Sequence, residues 1–253
     1  MKTLIQISQL SHDYIVGKGK VNALSDITFS IKKGEFVCLT GPSGCGKSTL
    51  AAIMSGLIAP TNGAIQFDGS TAQHTLKKVT LVSQEDTLFP WKNVFDNIML
   101  GMYSQHISEN DKKEKAAFIM NEFGLEKHAH LYPGQLSGGL KQRLNIARAI
   151  AYAPEVLILD EPFSALDIET KTRVQNSLLR VWKELKLTIV YITHSISESV
   201  VLSDTIYVMR PSPGEIVLKV SVDLPRPRDG EVRRSKAFLE YETTLFQKLK
   251  EFV

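Results

Sequence analysis

The sequence predicts an α/β fold: a mixed-sheet core, an antiparallel β-subdomain at the N-terminus, and an α-helical subdomain inserted into the core. Three observations carry this expectation. Short apolar runs rich in β-branched residues recur along the chain, as expected of strands buried on both faces. Helical patterns alternate with these runs, which argues for strands joined by crossovers. The stretch from Trp91 to Ala153 reads almost wholly helical.

The first forty residues alternate in polarity, as in Leu4-Ile5-Gln6-Ile7 and Ile27-Thr28-Phe29-Ser30-Ile31, the period of an antiparallel piece. Buried strands are read at Phe36–Thr40, Val79–Val82, Val156–Leu159, Thr188–Ile192 and Thr205–Met209. Helices are read at Ser48–Leu57, Asn93–Gly101, Glu109–Phe123, Leu140–Tyr152 and Thr170–Leu185. The Pro/Arg-rich segment Leu224–Gly230 opens a tail that becomes helical. The expected organisation is one domain over residues 1–253: core with β-subdomain in 1–90 and 154–225, helical subdomain in 91–153, tail in 226–253.

The net charge of +3 is too small to argue for nucleic acid, which would require a strong basic stripe. Cys38 and Cys45 have neither metal-site spacing nor the look of a disulfide framework, so a reducing compartment is expected. Residues 1–7 contain no long apolar core of a signal peptide. No run approaches the roughly 20 apolar residues of a membrane helix, so a role at a membrane requires a spanning partner.

The strongest local signal is Gly41-Pro42-Ser43-Gly44-Cys45-Gly46-Lys47-Ser48-Thr49, which fits the P-loop pattern G-x-x-x-x-G-K-[ST] between a strand and a helix. Glycines let backbone N–H groups wrap phosphate oxygens, and the helix N-terminus adds positive partial charge. Lys47 is the expected partner of the β- and γ-phosphates, and the Ser48 hydroxyl a Mg²⁺ ligand. One P-loop can occur in many folds; a RecA-like P-loop NTPase core is what it implies together with the family resemblance below. A second signal, Val156-Leu157-Ile158-Leu159-Asp160-Glu161-Pro162, ends an apolar strand in two acids, where ligands sit in open α/β sheets. Asp160 suits Mg²⁺, and Glu161 suits the general base that polarises water.

A third signal, Leu136-Ser137-Gly138-Gly139-Leu140-Lys141-Gln142, precedes a helix and resembles the signature of ABC ATPases, L-S-G-G-x-x-Q. Together with the P-loop it supplies a second phosphate-binding helix start. The resemblance implies a head-to-tail dimer of ATPase subunits, most simply a homodimer. Two ATP molecules would lie between the P-loop of one copy and Ser137, Gly138 and Gly139 of the other. The remaining family marks follow in order. Gln84 looks like the Q-loop glutamine, a Mg²⁺ and water contact. Ser164-Ala165-Leu166-Asp167 looks like the D-loop, and His194 like the switch histidine that contacts the γ-phosphate. Tyr14 stands either as the aromatic that stacks on adenine or as a half-buried strand residue.

Within that superfamily, residues 83–91 (Ser-Gln-Glu-Asp-Thr-Leu-Phe-Pro-Trp) are similar to the F-Q-E-x-x-L-L-P-W segment of importers for nitrate, sulfonates and taurine, a group that includes carriers of bicarbonate and thiamine-pyrimidine precursors. Residues 208–216 and Asp223-Leu224-Pro225-Arg226-Pro227-Arg228 resemble further stretches of that group. The resemblance implies ATP hydrolysis at the cytoplasmic face of a cell membrane, powering uptake through a separate integral permease served by a periplasmic or lipid-anchored solute-binding protein. Leu88–Trp91 reads either as a docking groove for a short permease helix or, for Trp91, as core of the helical insertion. Arg226, Arg228, Arg233 and Arg234 read as solvated surface or as an approach to anionic lipid.

This sequence departs from the group at Ser83, where Phe is usual, and at Ser195, where Asp is common. The alternatives are a non-transport ABC ATPase acting on nucleic acid or ribosomes and a P-loop kinase. The first usually carries a coiled-coil insertion or tandem ATPase units, absent here. The second has no use for the signature or for His194.

Overall fold

The computed structural model describes residues 2–71, 79–85, 87–103, 105–164 and 166–252. Asp86, of the segment before Trp91, and Ala165, of the expected D-loop, lie outside the described residues. In chain order the elements are β1 (Thr3–Val16), β2 (Gly19–Lys32), β3 (Phe36–Thr40), α1 (Lys47–Met54), β4 (Asn62–Phe67), β5 (Ser70–Thr71), β6 (Val79–Val82), α2 (Val94–Leu100), α3 (Glu109–Glu122), α4 (Gly138–Ala151), β7 (Val156–Asp160), α5 (Ile168–Leu185), β8 (Thr188–Thr193), α6 (Ile196–Leu202), β9 (Thr205–Arg210), β10 (Glu215–Ser221) and α7 (Lys236–Lys250).

The chain divides into two compact units, Met1–Val79 with Thr188–Val253, and Thr80–Leu187. The first contains an antiparallel sheet in the order β2-β1-β4-β5. Ile5 and Ile7 of β1 are buried at period two; Gln9 then adopts a left-handed φ of 47°, and the register shift there brings Leu10, not Gln9, into the core. In the same unit β3 pairs in parallel with β8 and β9, and β9 pairs antiparallel with β10, giving the expected mixed sheet. All five residues of β3 are buried, which explains its unbroken apolar run.

The second unit holds β7 beside β6 and helices α2 to α5. Its helix starts follow local chemistry. Asn93 caps α2, and Ser108 with Asp111 forms a capping box on α3. α2, α3 and α4 pack on one another.

The tail corrects a sequence expectation. Arg228 is neither solvated nor free to meet lipid: it is 4% exposed. Its Nη1 donates to Val200 O and Ser203 O, both at 2.6 Å, and its Nη2 to Val222 O at 3.1 Å. Arg226 Nη2 donates to Leu202 O at 2.6 Å and to Asp204 Oδ1 at 2.8 Å. The two guanidiniums thus satisfy the carbonyls that end α6, where a helix presents negative partial charge. Burial, reinforced by the neighbouring Arg226 charge, pushes Arg228 down to about 10. Arg233 Nε donates to Arg228 O at 3.2 Å, tying the next turn to the same knot.

Arg228→Ala leaves these buried carbonyls without donors and is expected to cost about 2–4 kcal/mol in chemical denaturation. Arg228→Lys should recover less than half of that, because a compact ammonium cannot span the carbonyls that the planar fork reaches.

Candidate functional site

In the first unit, the P-loop is shaped by contacts that exclude side chains. Gly46, which precedes α1, has φ 91°, and a Cβ there would lie 2.6 Å from Leu24 Cδ2 and 2.9 Å from Ala23 O. No described side chain caps α1, so the amides of its first turn are left for an external acceptor. Lys47 is 6% exposed. Its Nζ donates to Gly41 O at 2.8 Å and Pro42 O at 2.9 Å, and lies 3.6 Å from Cys45 Sγ. The ammonium is therefore held against the loop and brings a full positive charge to it.

Ser43, Gly44 and Ser48 are exposed, and Pro42 and Thr49 half-buried. Cys45 points inward, and burial pushes its thiol up against the opposing pull of Lys47. Its contribution to a ligand is confined to its backbone. Tyr14 lies on β1 opposite Val21, is 41% exposed, and donates from its hydroxyl to Thr49 Oγ1 at 3.3 Å. It is thus both a strand residue and an open aromatic ring at the P-loop helix.

His194 follows β8 and is exposed. Its turn is held by a network that the motifs alone did not reveal. Glu198 Oε2 accepts from Tyr191 Oη at 2.7 Å and from Thr193 Oγ1 at 2.8 Å, all three being buried. Ser195 N donates to Thr193 Oγ1 at 3.0 Å, and Ser195 Oγ caps α6 by accepting from Glu198 N at 3.3 Å. The Ser-x-x-Glu spacing before an apolar run was the available signal. Ser195, which replaces the usual Asp, retains the capping function.

In the second unit, Asp160 closes β7 and is half-buried, and Glu161 follows it with φ 47°. A glutamate in the left-handed region costs on the order of 1–3 kcal/mol, strain that characteristically accumulates at functional positions. Gln84 is exposed on the loop after β6, and Ser83 Oγ donates to Glu85 O at 3.3 Å within that loop. Ser137 caps α4, accepting from Leu140 N at 3.4 Å, and remains exposed. A Cβ on Gly138 would meet nothing within 4 Å among the described residues, so their packing does not demand glycine there. Gly139 backs onto Leu166, with 3.2 Å from a Cβ to Leu166 Cδ2. Asp167 caps α5 through Thr170 N at 2.9 Å, and that hydrogen bond holds its carboxyl below its usual value.

Thr87 and Phe89, beyond the Gln84 loop, are clamped by residues that no motif singled out. Arg148 donates to Thr87 O at 2.9 Å and to Thr87 Oγ1 at 2.6 Å, and its guanidinium lies over the Phe89 ring at 5.2 Å. Asn97 Oδ1 accepts from Phe89 N at 3.0 Å. Thr87, Phe89 and Arg148 border a groove of about 280 Å³ whose lining also includes Val82, Asn145 and Tyr152. Trp91 is 71% exposed and meets Phe89 edge-on at 5.5 Å, so it is not part of the core.

The donor types expected for Mg²⁺ are a hydroxyl (Ser48), an amide oxygen (Gln84) and a carboxylate (Asp160). These hard oxygens suit a cation that keeps several of its waters. No helix is long and apolar enough to cross a membrane among the described residues.

The ABC transporter family model matches residues 24–164. The chain is 40% identical over its full length to an uncharacterized ABC transporter ATP-binding protein of Methanocaldococcus jannaschii, covering 94% of it. It is 36% identical to the nitrate import ATP-binding protein NrtD of Synechocystis, over 97% of this chain and 95% of that one. It is 38% identical to the aliphatic sulfonates import ATP-binding protein SsuB of Bacillus thuringiensis, over 97% and 96%. Among solved structures, it resembles a dimeric ATP-binding cassette in a post-hydrolysis state bound to ADP and Pi, with a TM-score of 0.77, 28% identity, and coverage of 88% of this chain and 100% of that one.

Removing the acceptor at Glu198 strands two buried hydroxyls. Glu198→Ala should therefore cost about 2–4 kcal/mol, and Tyr191→Phe about 1 kcal/mol, in equilibrium unfolding.

Proposed function

We propose a specific role for this chain, which belongs to the ABC transporter family as an ATP-hydrolysing subunit: it powers uptake of a small solute of the nitrate or sulfonate type through a separate membrane permease. The observation that carries the proposal is the coexistence of two phosphate-ready helix starts in one chain. One is the uncapped α1 with Lys47 folded into its loop, and the other is α4 with Ser137 and Gly138 exposed. One nucleotide needs only one of them. Two copies arranged head to tail use both, each ATP resting on the P-loop of one subunit and on Ser137, Gly138 and Gly139 of the other.

In this reading the adenine stacks on Tyr14. The amides of residues 44–49 and Lys47 take the phosphates, and Gln84 and His194 sense the γ-phosphate. Glu161 accepts the proton of the attacking water. Ser48, Gln84 and Asp160 would hold Mg²⁺, which supplies neutralisation of phosphate charge. Everything else that these residues contribute is position and fixed charge, which together dominate the catalysis of phosphoryl transfer. The groove beside Phe89 receives a short helix of the permease, anchored by the exposed Trp91 ring; aromatic anchors of this kind are enriched at interfaces. The nitrate- and sulfonate-import relatives and the matching segment at residues 83–91 support the solute class. The family's working site is the cytoplasmic face of the membrane, with a solute-binding protein feeding the permease from the other side.

Glu161→Gln should retain ATP binding and accumulate a closed, ATP-loaded dimer in size-exclusion chromatography; hydrolysis at the wild-type rate would remove Glu161 from its role. Ser137→Arg should leave nucleotide binding to the monomer intact and abolish turnover in the reconstituted transporter. Co-purification from detergent-solubilised membranes should recover a multi-spanning permease, and recovery of ribosomal or nucleic-acid partners in its place would overturn the transport role.

A further inference from the structure

The end of α3 and the facing sides of α4 and α5 enclose a cavity of about 260 Å³, lined in part by Glu122, Arg143, Arg173, Ser177 and Arg180. Three guanidiniums face one carboxylate, and that carboxylate is engaged: Glu122 Oε2 accepts from Arg180 Nε at 2.7 Å. Ser177 Oγ accepts from Arg180 Nη2 at 3.2 Å and donates to Glu122 O at 2.5 Å. Arg173 pairs with Glu169 at 2.8 Å on the exposed surface. Arg143 is different. Its Nε is buried and has no hydrogen-bond partner among the described residues. Burial and the Arg173 charge push its guanidinium below the ordinary arginine value, with Asp167 opposing them. The half-exposed Arg143 guanidinium at the cavity wall, beside the like charge of Arg173, is an arrangement that an anion in the cavity would relieve.

We propose that this pocket binds a small dianionic oxyanion of the phosphate or sulfate class, held by Arg143 and Arg173 with Arg180 and Ser177 at its wall. The planar forks of two arginines match the tetrahedral oxygens of such a group, and the cavity has room for the ion with part of its hydration shell. Arg143 lies on α4, the helix begun by Ser137, Gly138 and Gly139, and Arg173 on α5, the helix capped by Asp167. An oxyanion shared by them ties these two helices together and resists any change in their spacing during turnover.

The test uses the full chain with its P-loop saturated by a non-hydrolysable ATP analogue, so that added sulfate is not read there. Millimolar sulfate is compared with chloride at equal ionic strength, and the melting midpoint is followed in wild type, Arg143→Gln and Arg173→Gln. The wild type should gain about 3 °C more than either variant. The general salting effect of sulfate acts on all three proteins alike. Equal shifts in wild type and variants overturn the proposal. Should a variant fail to bind the ATP analogue, selenate soaked into wild-type crystals decides in its place: an anomalous peak beside Arg143 supports the site, and no peak there overturns it.

Discussion

The constraint on which the first unit depends is the absence of space around the P-loop. Three stretches of backbone meet there: the loop itself, β2 at Ala23 and Leu24, and the turn between β9 and β10. A Cβ on Gly214 would lie 2.3 Å from Cys45 O and 2.8 Å from Ala23 O. Gly214 N donates to Ala23 O at 3.1 Å, and Ser25 N donates to Gly214 O at 2.9 Å. Two glycines far apart in sequence, Gly46 and Gly214, therefore allow the antiparallel sheet and the β9–β10 hairpin to press the loop into one shape. Packing of this density transmits displacement rather than absorbing it. A loop braced in this way holds its amides already ordered.

Much of the architecture was legible in the sequence because it rests on local signals. β3, β8 and β9 read as unbroken apolar runs because they are buried, and α2 and α3 begin at Asn93 and Ser108 with ordinary cap chemistry. What escaped depends on how successive elements fold against one another. The partners of Glu198 became apparent only when β8 and α6 were folded against each other, since Tyr191 and Thr193 occupy one strand and Glu198 the next helix. The inward course of Arg226 and Arg228 escaped for a similar reason. A Pro-Arg-Pro-Arg string reads as polar surface until the carbonyls at the end of α6 are placed beside it.

The candidate chemistry rests on signals of a different kind. Lys47, Asp160, Glu161 and the signature glycines belong to short motifs whose spacing carries a mechanism of its own. Their local settings add what spacing cannot provide: a lysine folded onto loop carbonyls, a glutamate held at φ 47°, and a glycine at 138 whose missing side chain no described residue requires. Tyr14 sits on β1 as a strand residue, but exposed where a half-buried position was the alternative to stacking on adenine.

Helix α4 has a further consequence. Its first residues carry the Gly138–Gly139 pair, Asn145 at its middle accepts from Thr87, and Arg148 in its last turn donates to Thr87 and covers Phe89. Fourteen residues form a rod roughly 20 Å long with no proline to hinge it. Such a rod behaves as a see-saw: a tilt of about 5° about its middle moves each end by on the order of 1 Å in opposite senses. Whatever seats itself against the glycine end is thereby felt at the aromatic end at once, through geometry alone and without any relay of side-chain rearrangements.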